Sequence, residues 1–106
     1  MPKYMIEATY TLEGTRGLVR EGGSKRREAV KTALKSIGGK VDEFYYAFGN
    51  TDVYAIIDAP DNVSAAACAT AINATGAVQV RTTVLLTPEE IDAAIKKTVK
   101  YRAPGK

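Results

Sequence analysis

The stretch Lys40 to Asp58, KVDEFYYAFGNTDVYAIID, constrains the fold more than any other part of the chain. Val41–Phe48 and Val53–Ile57 are rich in aromatic and β-branched side chains, which suit a pleated, half-buried surface. Between them Gly49 and Asn50 tolerate positive φ, and Asp52 can hydrogen-bond nearby backbone amides. Gly49-Asn50-Thr51-Asp52 therefore reads as a tight turn between two strands. An even loop pairs Phe48 with Val53, Tyr46 with Ala55 and Phe44 with Ile57, and places all six on one face. The opposite face then carries Tyr45, Ala47, Tyr54 and Ile56. Large side chains sit opposite small ones on both faces, so a one-residue slip would scramble the match.

The remaining segments can be arranged to cover this hairpin. Lys3–Thr11 alternates Tyr4, Ile6, Ala8 and Tyr10 with Met5, Glu7 and Thr9, the period of a strand. Thr11 caps a short helix from Leu12 to about Arg20, which Gly14 and Gly17 weaken and leave partly irregular. Ser24 starts a second helix, Lys25–Ile37, whose Val30, Ala33, Leu34 and Ile37 form an apolar stripe. Gly38-Gly39 ends it. Asp61 and Asn62 are cap candidates for a third helix, Val63–Ala74, so rich in alanine that it is expected to lie well buried. Val78–Leu86 alternates again. Thr87-Pro88-Glu89-Glu90 is a capping box with proline at the first helical position, opening a last helix that runs to about Val99. The order β-α-β-β-α-β-α predicts an α+β, ferredoxin-like βαββαβ sheet with strand order 4-1-3-2 and an added C-terminal helix. Residues 1–100 read as one domain and 101–106 as a flexible tail.

Charge and composition exclude several functions. A net charge of +3, from 15 basic and 12 acidic residues, is too small to imply nucleic acid. The absence of histidine removes Ser-His-Asp and Cys-His catalysis and His-ligated zinc. A lone cysteine, Cys68, precludes an internal disulfide and sits among alanines as a small core residue. No apolar run reaches the roughly 20 residues that span a bilayer, and no signal-peptide hydrophobic region follows Met1. A cytoplasmic protein is expected, with no membrane partner, no cofactor and no metal.

Three places can carry function, and each has a plainer structural reading. If helices cover Tyr4, Ile6, Phe44, Tyr46, Phe48, Val53, Val78 and Val80, the open sheet face shows Glu7, Tyr45, Tyr54 and Arg81. Glu7 and Arg81 can form a cross-strand ion pair flanked by tyrosines, lining either a ligand site or a subunit interface. Gly23, Ser24 and Lys25, followed by Arg26 and Arg27, place glycines, a hydroxyl and cations at a helix N-terminus, which suits an anion. They fit a solvated basic turn as well, and they make no Walker motif. Gly49 and Asp52 mark the hairpin turn, where Asp52 closes the turn by a hydrogen bond. Asp42, Glu43 and Asp58 read as edge charges.

The opening PKYMIEATYT, the Gly39-Lys40 lead into FYYAFGNTDVYAIIDAPD, the alanine-rich helix and VQVRTTVLLTPEE together resemble the GYD-domain family of small bacterial and archaeal proteins. Phe48-Gly49-x-x-Asp52-Val53 is the most specific part, and Thr51 stands where the family's tyrosine is expected. The resemblance implies a ferredoxin-like domain of the kind that pairs into dimeric α+β barrels, and carries no established activity. A homo-oligomeric domain that binds a small ligand or a partner is expected. The alternative is a small cofactor-free enzyme with an inter-subunit cavity lined by tyrosine, Glu7 and Arg81. RNA binding by the sheet lacks the basic-Gly-aromatic pattern it needs on the third strand, which begins Asp52-Val53-Tyr54.

Overall fold

The computed structural model describes residues 1–106. Its elements are β1 (Lys3–Tyr10), α1 (Leu12–Glu21), α2 (Gly23–Ser36), β2 (Lys40–Tyr46), β3 (Val53–Asp58), α3 (Asn62–Ala74), β4 (Val78–Leu85) and α4 (Pro88–Ile95). The strands form one antiparallel sheet in the order β2-β3-β1-β4. This is the ferredoxin-like α+β arrangement with a C-terminal helix. The core lies where Leu34 of α2 and Ala65 and Cys68 of α3 meet Tyr4, Ala8, Val53, Ala55 and Ile57 of the two central strands.

Helix ends follow their side-chain chemistry. Thr11 caps α1 by accepting from the Gly14 amide, Asp61 caps α3 by accepting from Ser64, and Thr87 and Glu90 complete the capping box of α4. Tyr4, a central-strand residue, donates its hydroxyl to Asn62 Oδ1 at 2.7 Å and ties the sheet to the start of α3.

Several boundaries depart from expectation. Helix α1 is regular, because tertiary contact overrides its weak propensity. A Cβ on Gly14 would lie 1.9 Å from the Ala77 carbonyl oxygen, so glycine alone admits this close approach. Gly22, at φ +90°, is all that separates α1 from α2, and α2 begins at Gly23, ahead of Ser24. In α3 Ala65 and Cys68 are buried, while Ala66, Ala67, Ala71 and Ala74 face outward. Helices α2 and α3 leave a cavity of about 160 Å³ between themselves and the sheet. Helix α4 ends at Ile95 rather than near Val99.

The hairpin has the expected faces and a different register. Tyr46 pairs with Val53, Phe44 with Ala55 and Val41 with Ile57, with a bulge at Asp42. From Phe44 to Tyr46 the shift is by two residues, so those strand side chains keep their faces, and beyond the bulge it is three, while the connection lengthens to six residues, 47–52. Phe48 falls in that loop and is fully exposed, at 106%. The cause is Asp52, whose bonds reach beyond its own turn. Its amide donates to the Ala8 carbonyl, its carbonyl accepts from Ala47, and its Oδ2 accepts from the Tyr10 amide, each at 2.8 Å. Asp52→Ala leaves the part-buried Tyr10 amide without an acceptor and is expected to cost about 1–3 kcal/mol in urea unfolding. A cost under about 0.5 kcal/mol would mean that water takes the carboxylate's place.

Every residue from Leu86 to Lys106 is exposed, including Ile91, Ile95 and Val99 of the apolar face of α4 and the segment after it. The helix therefore does not fold over the sheet. The radius of gyration is 16.9 Å, against about 13 Å for a compact chain of this length. No helix is long and apolar enough to cross a membrane.

Candidate functional site

Strand register brings the four open-face residues into one line. Tyr45 of β2 pairs with Tyr54 of β3, Tyr54 with Glu7 of β1, and Glu7 with Arg81 of β4. A second row, one step along, reads Glu43, Ile56, Met5 and Thr83. Both rows lie on the face that α2 and α3 leave bare, because side chains alternate along a strand. Tyr45 is 64% exposed and Tyr54 38%. The neighbouring Glu43 carboxylate, on the same face as Tyr45, pushes the phenol pKa up.

The expected Glu7–Arg81 ion pair does not form, although the two are Cα partners. The Arg81 guanidinium instead donates from Nη2 to Thr51 Oγ1 at 3.0 Å. Thr51 is buried. The 47–52 loop holds it there: Asp52 ties the loop to β1, and Thr9 Oγ1 donates to the Asn50 carbonyl at 2.9 Å. Thr51 is the site residue that sequence reasoning missed. Its partner is 30 residues away, and no local pattern marks the contact.

The candidate anion site lies on the other side of the sheet. Gly23, Ser24 and Lys25 form the first turn of α2, whose N-cap, Gly22, supplies no side-chain hydrogen bond. The Gly23 carbonyl accepts from the Tyr46 hydroxyl at 3.1 Å, and a Cβ on Gly23 would meet the Tyr46 ring at 3.0 Å. Burial, then the neighbouring Tyr10 hydroxyl, pushes the Tyr46 phenol well above its ordinary pKa. The cations that follow have acidic neighbours: Arg26 stands 3.6 Å from Glu21, and Arg27 3.6 Å from Glu28. The structure thus brings Glu7, Tyr45, Tyr54 and Arg81 together and leaves Gly23, Ser24 and Lys25 apart from them. Gly49, at φ +111°, and Asp52 shape the loop that carries Thr51 to Arg81.

Asp58 is no edge charge. It sits buried at the end of central strand β3, where Lys3 donates to it at 2.8 Å and Lys40 stands 3.6 Å away. Lys3 also bonds Asp42 at the bulge. The Lys3 hydrogen bond holds the Asp58 carboxyl below the usual carboxylate range. A depressed folded-state pKa gives stability that is complete above the unfolded value, near pH 4, and is lost as pH falls through the folded one. Unfolding free energy should therefore drop on acidification below about pH 4. Asp58→Asn should flatten part of that drop. The rest comes from groups such as Asp61, whose pKa the Ser64 amide lowers. Equal acid slopes for Asp58→Asn and wild type in urea titrations would show that the Lys3 bond adds nothing.

Cys68 lies in the core against the cavity, and burial pushes its thiol pKa up, away from the reactive thiolate. A family model described as GYD domain matches residues 4–95. Comparison with curated proteins finds no match.

Proposed function

The chain belongs to the GYD-domain family, and from that premise we propose that it is a homo-oligomeric domain that binds a small ligand or a partner, built from dimers paired through the open faces of their sheets. One observation carries the reading: the protein exposes more surface than a compact monomer should. Its accessible surface is 7575 Å². A compact chain of 11.4 kDa should expose about 5,800 Å², which leaves roughly 1,800 Å² unaccounted for. Apolar side chains contribute to it on two surfaces, the open sheet face with exposed Tyr45 and Tyr54 beside half-buried Ile56 and Leu85, and the side of α4 with exposed Ile91 and Ile95. Patches of this kind mark interaction sites. Face-to-face pairing would enclose the Tyr45-Tyr54-Glu7-Arg81 row at its centre, where a ligand would meet aromatic walls and both signs of charge.

Sedimentation velocity at micromolar concentration tests the proposal, with a dimer of the 11.4 kDa chain, or a multiple of it, as the expected species. A monomer across that range would overturn it. The second reading, a cofactor-free enzyme, draws on the placement of Tyr54, Glu7 and Arg81 on three neighbouring strands. Lacking histidine, such an enzyme would act through electrostatic stabilisation by Arg81 and proton transfer at Glu7.

A further inference from the structure

Six alanines surround the cavity behind the sheet: Ala8 of β1, Ala55 of β3, Ala29 and Ala33 of α2, and Ala65 and Ala69 of α3. Each lines the space with no more than a methyl group. Protein interiors pack at the density of organic crystals, so a partly open apolar pocket of about 160 Å³ between the helices and the sheet is a departure that needs a reason. An enclosed apolar cavity of about this size takes up benzene when offered it, so the volume suits a ring of that kind. Among the lining side chains only Arg26 is charged. It belongs to the first turns of α2, and its side chain is 31% exposed. Its nearest carboxylate, Glu21, stands at 3.6 Å, beyond ordinary hydrogen-bond length. A cation with hydrogen-bonding capacity to spare thus stands at the rim of an apolar, ring-sized pocket.

We propose that this cavity binds a small hydrophobic monocarboxylate, with an apolar body the size of a six-membered ring inside and its carboxylate on Arg26. The chamber rewards apolar surface of that size and offers a polar group inside it almost nothing. A carboxylate buried there unpaired would be costly, so the charged end belongs at the rim. Arginine suits it there, since its planar fork matches a carboxylate with two parallel hydrogen bonds. Glu21 yields its loose contact to the ligand. The site lies on the helix-covered side of the sheet, opposite the face assigned to pairing, so neither proposal depends on the other.

Benzoate is the probe, with toluene as its neutral counterpart, and binding is read from amide resonances of the isotope-labelled full chain. Benzoate should shift Ala33, Ala55 and Ala69. Ala69→Leu, which fills the chamber, should abolish those shifts. Arg26→Gln, at the rim and harmless to packing, should weaken benzoate at least fivefold while toluene binds as before. If Ala69→Leu fails to fold, the Arg26→Gln comparison decides alone. A spectrum undisturbed by millimolar benzoate overturns the proposal, as does benzoate bound equally well by wild type and Arg26→Gln. Toluene binding more tightly than benzoate to wild type overturns the anionic class.

Discussion

Leu34→Ala is expected to lower the unfolding free energy by about 3–5 kcal/mol, the upper part of the range for a buried leucine. Leu34 is 2% exposed and, with Tyr4, is one of the two largest fully buried side chains. The cost of such a truncation depends on how far its neighbours can collapse into the space it leaves. Here they cannot collapse far, because Leu34 already borders the cavity between the helices and the sheet. Truncation enlarges an existing void rather than opening one that repacking can close. For a domain of this size the loss would be a third or more of about 10 kcal/mol of total stability. Urea unfolding with an unchanged dependence on denaturant checks it. A loss under about 1 kcal/mol would show that the stripe on α2 does not anchor the core.

What the sequence made legible is what repeats locally. Alternation along β1, β3 and β4 assigned the faces correctly, and the stripe on α2 pointed Leu34 inward. The hairpin register was missed because it depends on bonds to a third and a fourth strand. Asp52 binds β1 at Ala8 and Tyr10, and Thr51 accepts from Arg81 on β4. A local reading of Gly49-Asn50-Thr51-Asp52 spends those groups on the turn itself. The faces survived because the slip was even. The same loop explains why Arg81 turns from Glu7 to a threonine hydroxyl. Asp58 was misread for a related reason: its partners Lys3 and Lys40 come from the two strands on either side of β3. The cavity was the least legible feature. It is made of absent methylenes on four elements, and an alanine-rich helix reads as readily as close packing.

The largest effect on assembly is expected from reversing Arg81. Glu7 and Glu43 already place two carboxylates on the two central rows of the open face, and Arg81 is the one cation in those rows. The lysines nearer the end of the sheet, Lys3 and Lys40, lie against Asp42 and Asp58. When two such faces meet, water leaves and the balance between Glu7 and Arg81 must hold without it. Arg81→Glu sets a third carboxylate beside Glu7 and takes the donor from Thr51. Like charges in a desolvated contact should weaken dimerisation by about 3–5 kcal/mol, or roughly a hundredfold to several thousandfold in Kd. The isolated chain should hardly notice, because Arg81 is exposed and its hydrogen bond to Thr51 is one among many. Its urea midpoint should therefore stay close to wild type, which separates lost assembly from lost folding. Arg81→Gln, which keeps a donor for Thr51 without the charge, should fall between the two. If Arg81→Glu assembles as tightly as wild type, the interface lies elsewhere, and the apolar side of α4, with Ile91 and Ile95 exposed, is the next surface to test. Truncation after Leu86 then tests α4: a chain that falls to monomers assigns the interface to Ile91 and Ile95, and one that stays dimeric excludes α4 as well.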